Sequence, residues 1–163
     1  MKRNQSICTI PRLIGGGSAL SIAIFTRLTV GSPLALIHQL PSHTLPPIWL
    51  FSLLWMASFA LLGATAGNLL TCVGGSHQRE ACLWRGGTFM VLAMMFSLDW
   101  YTLLFGKVLF LPSCLCLILS ALASLICALS WIRVQKGAAV SPAIFFLWQT
   151  FLLICQIMVF LRT

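Results

Sequence analysis

The sequence predicts an all-α integral membrane protein: a bundle of five transmembrane helices forming one domain over residues 1–163. Apolar residues make up 60% of the chain, against roughly 45–50% in soluble domains. Charged residues make up only 7%, against about 25%, and the mean hydropathy is +1.00. Five apolar blocks are also long enough to cross a bilayer. A soluble domain of this size would need a charged surface that this chain does not have.

Each crossing needs about 20 mostly apolar residues, which sets the bounds of the five predicted helices. The first, at 13–30, is the weakest because Gly15 to Gly17 interrupt it and Arg27 lies near its end. The second, at 47–70, begins at a proline pair, where proline is tolerated. The others lie at 83–105, 108–131 and 138–161. Helices are expected because lipid cannot form hydrogen bonds with free backbone groups. The alternation of polar and apolar residues that is typical of strands is absent.

The first block has an alternative interpretation as a signal peptide, because bases precede a short apolar stretch. The three glycines and the lack of a small-residue cleavage site favour a membrane span instead. The ten bases are dispersed between apolar blocks, so the lipid bilayer and not nucleic acid is the expected partner. By the positive-inside rule we expect a cytoplasmic N-terminus in a bacterial cell membrane. The side of the membrane that holds the N-terminus carries Lys2, Arg3, Arg12, Arg79, Arg85, Arg133 and Lys136. The other side carries Arg27, Lys107 and Arg162.

Two loops on the other side differ greatly in length. Loop one, at about 31–46, contains His38 and His43, whereas Gly106 and Lys107 alone form loop three, so helices three and four should be an antiparallel hairpin. A long loop beside a short one is typical of a lid. The two histidines are either solvated or ligands of a haem iron. No phosphate loop, metal-binding spacing or acid pair is present, so we expect no catalytic residues, no metal site and no required cofactor.

Aromatic residues recur at helical spacing on three predicted helices. Such faces could line a cavity for a flat apolar ligand. Alternatively they are ordinary helix packing, or, for Trp49, Trp84 and Trp131, interfacial anchors. The faces consist of Trp49, Met56, Phe59, Gly63 and Gly67 with Trp55 nearby on helix two, Ala93, Ser97, Trp100 and Leu104 on helix three, and Phe145, Trp148, Leu152 and Gln156 on helix five.

Two further features have alternative interpretations. Gly63 and Gly67 form a GxxxG pattern, which serves either packing inside the bundle or a dimer interface. Asp99 is an acid at membrane depth, so proton or ion coupling is one hypothesis. Neutralisation by a base such as Lys107 or Arg27 is the other.

The run Pro46-Pro47-Ile48-Trp49-Leu50-Phe51, followed by Trp55, Phe59 and Gly63, resembles the helix-two signature of the TspO/MBR family of tryptophan-rich sensory and translocator proteins. Trp100 followed by Leu104-Phe105-Gly106 is similar to the family's pattern in helix three. Helix five matches at Ala138-Ala139, Phe145, Trp148 and Gln156, and the register holds from Pro46 to the C-terminus.

The resemblance implies a five-helix bundle, often a homodimer, with a pocket under loop one for porphyrins and related tetrapyrroles, sterols and benzodiazepine-type drugs. It implies ligand contacts at Trp49, Trp55, Phe59, Ser97, Trp100, Phe145, Trp148 and Gln156. The sequence departs from the family at Thr44, Ala93, Ser97, Phe145 and Gln156, so much of the polar lining is altered. Generic affinity for flat ligands should therefore persist with less discrimination, and porphyrin-degrading activity is less expected than binding.

The expected function is therefore that of a membrane receptor or carrier and not an enzyme. It would bind a tetrapyrrole of the porphyrin or haem type, or another flat hydrophobic ligand, for sensing, sequestration or transport. The alternative is a small secondary transporter, or a structural membrane subunit, in which Asp99 is the coupling or structural charge.

Overall fold

The computed structural model describes residues 9–30, 48–71 and 76–161. Loop one with His38, His43 and Thr44, the Pro46-Pro47 pair, and the bases Lys2, Arg3 and Arg162 lie outside the described residues. All five long helices have the length and composition to cross a membrane, and no strand occurs in the described ranges, so the predicted all-α class is confirmed. They are α1 (Thr9–Val30), α2 (Ile48–Leu70), α3 (His77–Tyr101), α4 (Phe110–Trp131) and α5 (Val140–Phe160).

Helix α3 begins at His77, earlier than the predicted start at residue 83. Its first turns carry Arg79 and Glu80, which interrupt the apolar pattern but not the helical hydrogen bonding. The carbonyl oxygen of Ser76 accepts from the backbone N–H of Arg79 and of Glu80, at 2.9 and 3.2 Å. Hydropathy identifies only the apolar part of a helix. Helix α3 begins before its apolar part, so the predicted start is too late.

The chain reverses direction sharply between α3 and α4, as the two-residue loop predicts. A π-helical turn, Thr102–Gly106, widens the end of α3. Val108 follows with a φ of 55°, the left-handed region that β-branched residues rarely adopt. The backbone N–H of Leu109 donates to the Leu103 carbonyl oxygen at 2.9 Å and closes the turn.

Four helix pairs build the bundle. Helix α1 packs on α2, α3 on α4, and α4 on α5, so three pairs join consecutive helices. The fourth pair, α2 with α5, closes the bundle across the chain. The helix order around the bundle is therefore α1, α2, α5, α4, α3, which places α2, α3 and α5 around a common interior.

The contact between α1 and α2 is made by glycines. A Cβ atom on Gly63 would collide with the carbonyl oxygen of Gly15, and one on Gly67 with that of Pro11. Backbone therefore meets backbone, which only glycine permits here. The GxxxG pattern of α2 thus serves packing within the chain. This close fit also favours a membrane span for α1 over a signal peptide.

Small and polar residues likewise direct α4 toward its neighbours. Ser120 is fully buried, and its hydroxyl donates to the Ala93 carbonyl oxygen on α3 at 2.8 Å. At the end of α4, the Trp131 indole is 1% exposed and lies against Gly86, where a Cβ atom would collide with the ring. Trp131 is therefore part of the helix interface and not an interfacial anchor.

Candidate functional site

Aromatic rings from α2, α3 and α5 fill the common interior, in the half of the bundle where α1 ends and α2 begins. We call this group the aromatic cluster. Its rings contact one another, with centroid separations from 4.8 to 6.4 Å. It consists of Phe51, Trp55, Phe59, Trp100, Tyr101, Phe105, Phe145, Trp148 and Phe151.

Trp55 is the centre of the inner half of the cluster. Its indole stacks on Tyr101 with centroids 4.8 Å apart and planes 20° apart, and it lies 4.9 Å from the Phe59 ring. Phe59 in turn meets Phe145 on α5 edge-to-face at 5.7 Å. Each such pair contributes roughly 0.5–1.5 kcal/mol beyond area burial. These contacts join the three helices.

Phe51 is the centre of the outer half. Its ring lies 5.8 Å from Trp148, 6.2 Å from Trp100 and 6.4 Å from Phe105. Trp148 also stacks on Phe151 at 5.5 Å, and Phe151 is 41% exposed. The cluster therefore extends from the buried interior to the lipid-facing surface of α5.

Ser97 on α3 is the polar centre of the cluster. Its hydroxyl oxygen accepts from Trp55 Nε1 at 3.2 Å and from Gln149 Nε2 at 2.9 Å. Ser97 and Gln149 are both fully buried. A serine at this position is short enough to let α2 and α5 both reach its oxygen, so one hydroxyl joins three helices.

Gln156 makes a second polar connection toward α4. Its Oε1 accepts from Trp100 Nε1 at 2.8 Å, and its Nε2 donates to Ser113 Oγ and, at 3.2 Å, to the Phe110 carbonyl oxygen. The amide thus connects α3, α4 and α5. In a low-dielectric interior such satisfied networks fix the relative positions of helices.

Three buried polar atoms around the cluster have no hydrogen-bond partner among the described residues: Ser52 Oγ, Trp148 Nε1 and Gln149 Oε1. Leaving a buried donor or acceptor unpaired costs about 1–3 kcal/mol. In folded proteins such groups are strained, have a functional role, or bond an ordered water, an ion or a ligand. Trp148 and Gln149 are adjacent on α5, and they supply one donor and one acceptor.

Most residues of the predicted pocket come together in this region. Trp49 does not: it is 66% exposed on the outer side of α2, as its alternative interpretation as an interfacial anchor expects. The others converge, while their role as ligand contacts stays a prediction: Trp55, Phe59, Ser97, Trp100, Phe145, Trp148 and Gln156.

Gln149, Tyr101 and Phe51 were not predicted. The signal for Gln149 was available, because an amide in a helix this apolar is costly in lipid unless it is bonded. Tyr101 is the single tyrosine of the chain and follows Trp100 directly. Phe51 belongs to the motif that resembles the helix-two signature. It lies on a helix face that periodicity alone does not distinguish from a lipid-facing one.

Asp99 lies apart from the cluster. Its side chain is exposed on α3, although its neighbour Trp100 is 2% exposed. Among the described residues no group of three His, Cys, Asp or Glu side chains could hold a metal ion.

No protein-family model, curated protein or solved structure matches this chain. The fold and the site define a class: an integral membrane protein whose five-helix bundle encloses aromatic rings and buried amides. The resemblance to the TspO/MBR family stays a prediction.

Proposed function

We propose that the chain is a membrane receptor or carrier for a flat hydrophobic ligand, with tetrapyrroles of the porphyrin or haem type as the leading class. The ligand would lie against the rings of α2, α3 and α5, and the ring contacts described above would part to admit it. Phe51, Trp100 and Trp148 supply stacking surface there. Rigid aromatic rings bind planar ligands at a low entropic cost.

The observation that carries this proposal is the pair of unpartnered polar atoms on α5. Trp148 Nε1 is a donor and Gln149 Oε1 an acceptor, both buried beside aromatic rings. A free-base porphyrin carries complementary groups, since its carboxylates accept hydrogen bonds and its pyrrole N–H groups donate them. Partners of this kind would offset the cost of burying the two atoms.

Two features support entry from the bilayer and a broad ligand range. The exposed Phe151 ring connects Trp148 with the lipid-facing surface, so an apolar ligand has an aromatic path inward. The polar atoms of Ser97 and Gln156 are largely occupied by bonds to the protein itself. Few groups remain to discriminate between ligands of similar shape.

The test is a titration of protoporphyrin IX into the purified protein, followed by tryptophan fluorescence and by the porphyrin absorbance band. We expect saturable quenching and a band shift. In Trp148→Phe and Gln149→Leu the apparent affinity should fall about tenfold, the value of one buried hydrogen bond. A non-saturating titration would remove the proposal.

Trp84→Phe is the matched control. Trp84 is 62% exposed near the opposite end of α3, so this change removes one fluorophore without touching the cluster. Its affinity should equal that of the unchanged protein. If Trp84→Phe weakens binding as much as Trp148→Phe, the porphyrin is not in the aromatic cluster.

The exposed acid Asp99 supports a second candidate, a small secondary transporter, because an acid on a membrane helix is costly unless it is used. A structural membrane subunit is the remaining alternative. A bacterial cell membrane, a cytoplasmic N-terminus, a homodimer and sterol-like ligands also stay predictions.

A further inference from the structure

A groove opens at the end of the bundle away from the aromatic cluster. It has a volume of about 330 Å³ and lies where the start of α1, the end of α2 and the turn before α5 meet. This position corresponds to the headgroup level of a membrane, because all three helices end there. It is lined by Arg12, Ala64, Thr65, Asn68, Gln135, Gly137 and Ala138.

Arg12 is held in place within the groove. Its Nε donates to Asn68 Oδ1 on α2 at 2.8 Å. This bond fixes the plane of the guanidinium and leaves its two terminal nitrogens to face other acceptors. A guanidinium positioned through one nitrogen can bind an anion with the others in fork geometry.

The turn that precedes α5 also lines the groove, through Gly137 and Ala138. Lys136–Ala139 forms this 3-10 turn, in which the backbone N–H of Ala138 donates to the Gln135 carbonyl oxygen and that of Val140 to the Gly137 carbonyl oxygen. Gly137 presents bare backbone, and a Cβ atom on it would meet nothing within 4 Å.

The groove is positive and lacks a counter-charge from the chain. The whole sequence contains two acids, Glu80 and Asp99, and neither lines the groove. The bases Arg133 and Lys136 lie in the adjoining loop. An anion that pairs with Arg12 in this groove would therefore come from outside the protein.

We infer that this groove is a binding site for a phosphate ester, held by the Arg12 guanidinium, with Asn68, Gln135 and the Gly137 backbone beside it. Its volume is suited to a phosphate with a glycerol-sized substituent and not to an acyl chain. Such a group could belong to an anionic phospholipid or to a soluble phosphoester, which present the same chemistry. The site is separate from the aromatic cluster and does not depend on the proposed function.

The test uses the full chain purified in a neutral detergent. Native mass spectrometry would measure binding of short-chain phosphatidylglycerol, with diacylglycerol of the same acyl chains as the phosphate-free reference. A second arm would measure binding of inorganic phosphate and glycerol 3-phosphate by calorimetry. We expect the phosphate-bearing ligand of at least one arm to bind, and diacylglycerol to bind at least about tenfold more weakly than phosphatidylglycerol in the lipid arm.

Arg12→Gln should weaken binding by about ten- to a hundredfold, the range for lost charge-assisted hydrogen bonds. Arg79→Gln is the matched control, because it removes one exposed base from the same end of the bundle without touching the groove. Gly137→Asp should also abolish binding by placing a carboxylate in the groove, whereas Gly137→Ala should bind normally, since its methyl group meets open space.

Each outcome decides the question. Dependence on Arg12 in the lipid arm alone supports a lipid headgroup site, and the same dependence in the soluble arm supports a soluble phosphoester. Equal losses in Arg12→Gln and Arg79→Gln would overturn the proposal, because overall charge would then explain the binding. So would normal binding by Gly137→Asp, or an absence of phosphate binding in both arms.

Discussion

The indole Nε1 of Trp100 on α3 donates a hydrogen bond to Oε1 of Gln156 on α5, with 2.8 Å between the two atoms. The other half of the same amide donates to Ser113 on α4. One side chain therefore holds three helices in register at the border of the aromatic cluster.

Replacing this amide should destabilise the bundle. In Gln156→Leu the Trp100 N–H loses its acceptor and the Ser113 oxygen loses the Gln156 donor, which should lower the free energy of unfolding by about 2 kcal/mol. Unfolding in detergent, followed by circular dichroism, measures this change. Thr88→Val is the control, because the exposed Thr88 hydroxyl bonds only to its own helix. Equal effects of the two changes would contradict the role of Gln156.

Two adjacent glycines on α3 should respond oppositely to alanine. A methyl group on Gly86 collides with the Trp131 indole, so Gly86→Ala should cost about 2 kcal/mol through overpacking. A methyl group on Gly87 meets nothing within 4 Å, so Gly87→Ala should gain about 0.5 kcal/mol from helix propensity. Thermal unfolding of the two variants measures the difference. Similar transitions would show that α3 and α4 are not this close.

The turn between α3 and α4 should be improved by glycine. Val108 adopts a φ of 55°, which costs a residue with a Cβ about 1–2 kcal/mol. Glycine removes that cost but adds about 0.5–1 kcal/mol of chain entropy, so Val108→Gly should stabilise by about 0.5–1 kcal/mol. Val140→Gly, at a helical and similarly exposed valine, should instead destabilise by about 1 kcal/mol. Destabilisation by both changes would exclude a left-handed Val108.

Asp99 tests the two candidate functions against each other. Its side chain is exposed and lies outside the aromatic cluster, so Asp99→Asn should change porphyrin affinity by less than about twofold. Under the receptor proposal, uptake of porphyrin into proteoliposomes should also be unchanged. Loss of uptake with intact binding would favour the secondary transporter.

Periodicity predicted the buried faces of α3 and α5 well. Ala93, Ser97, Trp100 and Leu104 recur at helical spacing, and all four are buried. This works because a transmembrane helix has one protein-facing side, and small or polar residues collect there. Periodicity was less informative for α2: Trp49 and Phe59 share a predicted face, yet Trp49 is 66% exposed and Phe59 only 1%.

Contacts between distant helices could not be predicted from the sequence. Nothing in the spacing pairs Ser97 with both Trp55 and Gln149, because that meeting depends on α5 lying between α2 and α4. The groove at Arg12 could not be predicted for the same reason, because its lining comes from three separate segments. Hydropathy detects helices, whereas the order of helices around a bundle depends on side-chain fit.

The position of the buried Gln156 amide on α5 has a consequence for biogenesis. A ribosome makes α5 after the four other helices, so Trp100 and Ser113 enter the membrane before Gln156 exists to bond them. Until then the Trp100 N–H lacks its acceptor, while the Ser113 hydroxyl can bond only within α4, to the Phe110 carbonyl oxygen. A nascent chain that ends before α5 therefore exposes polar groups of α3 and α4 to lipid. Insertion of the fifth helix covers these groups.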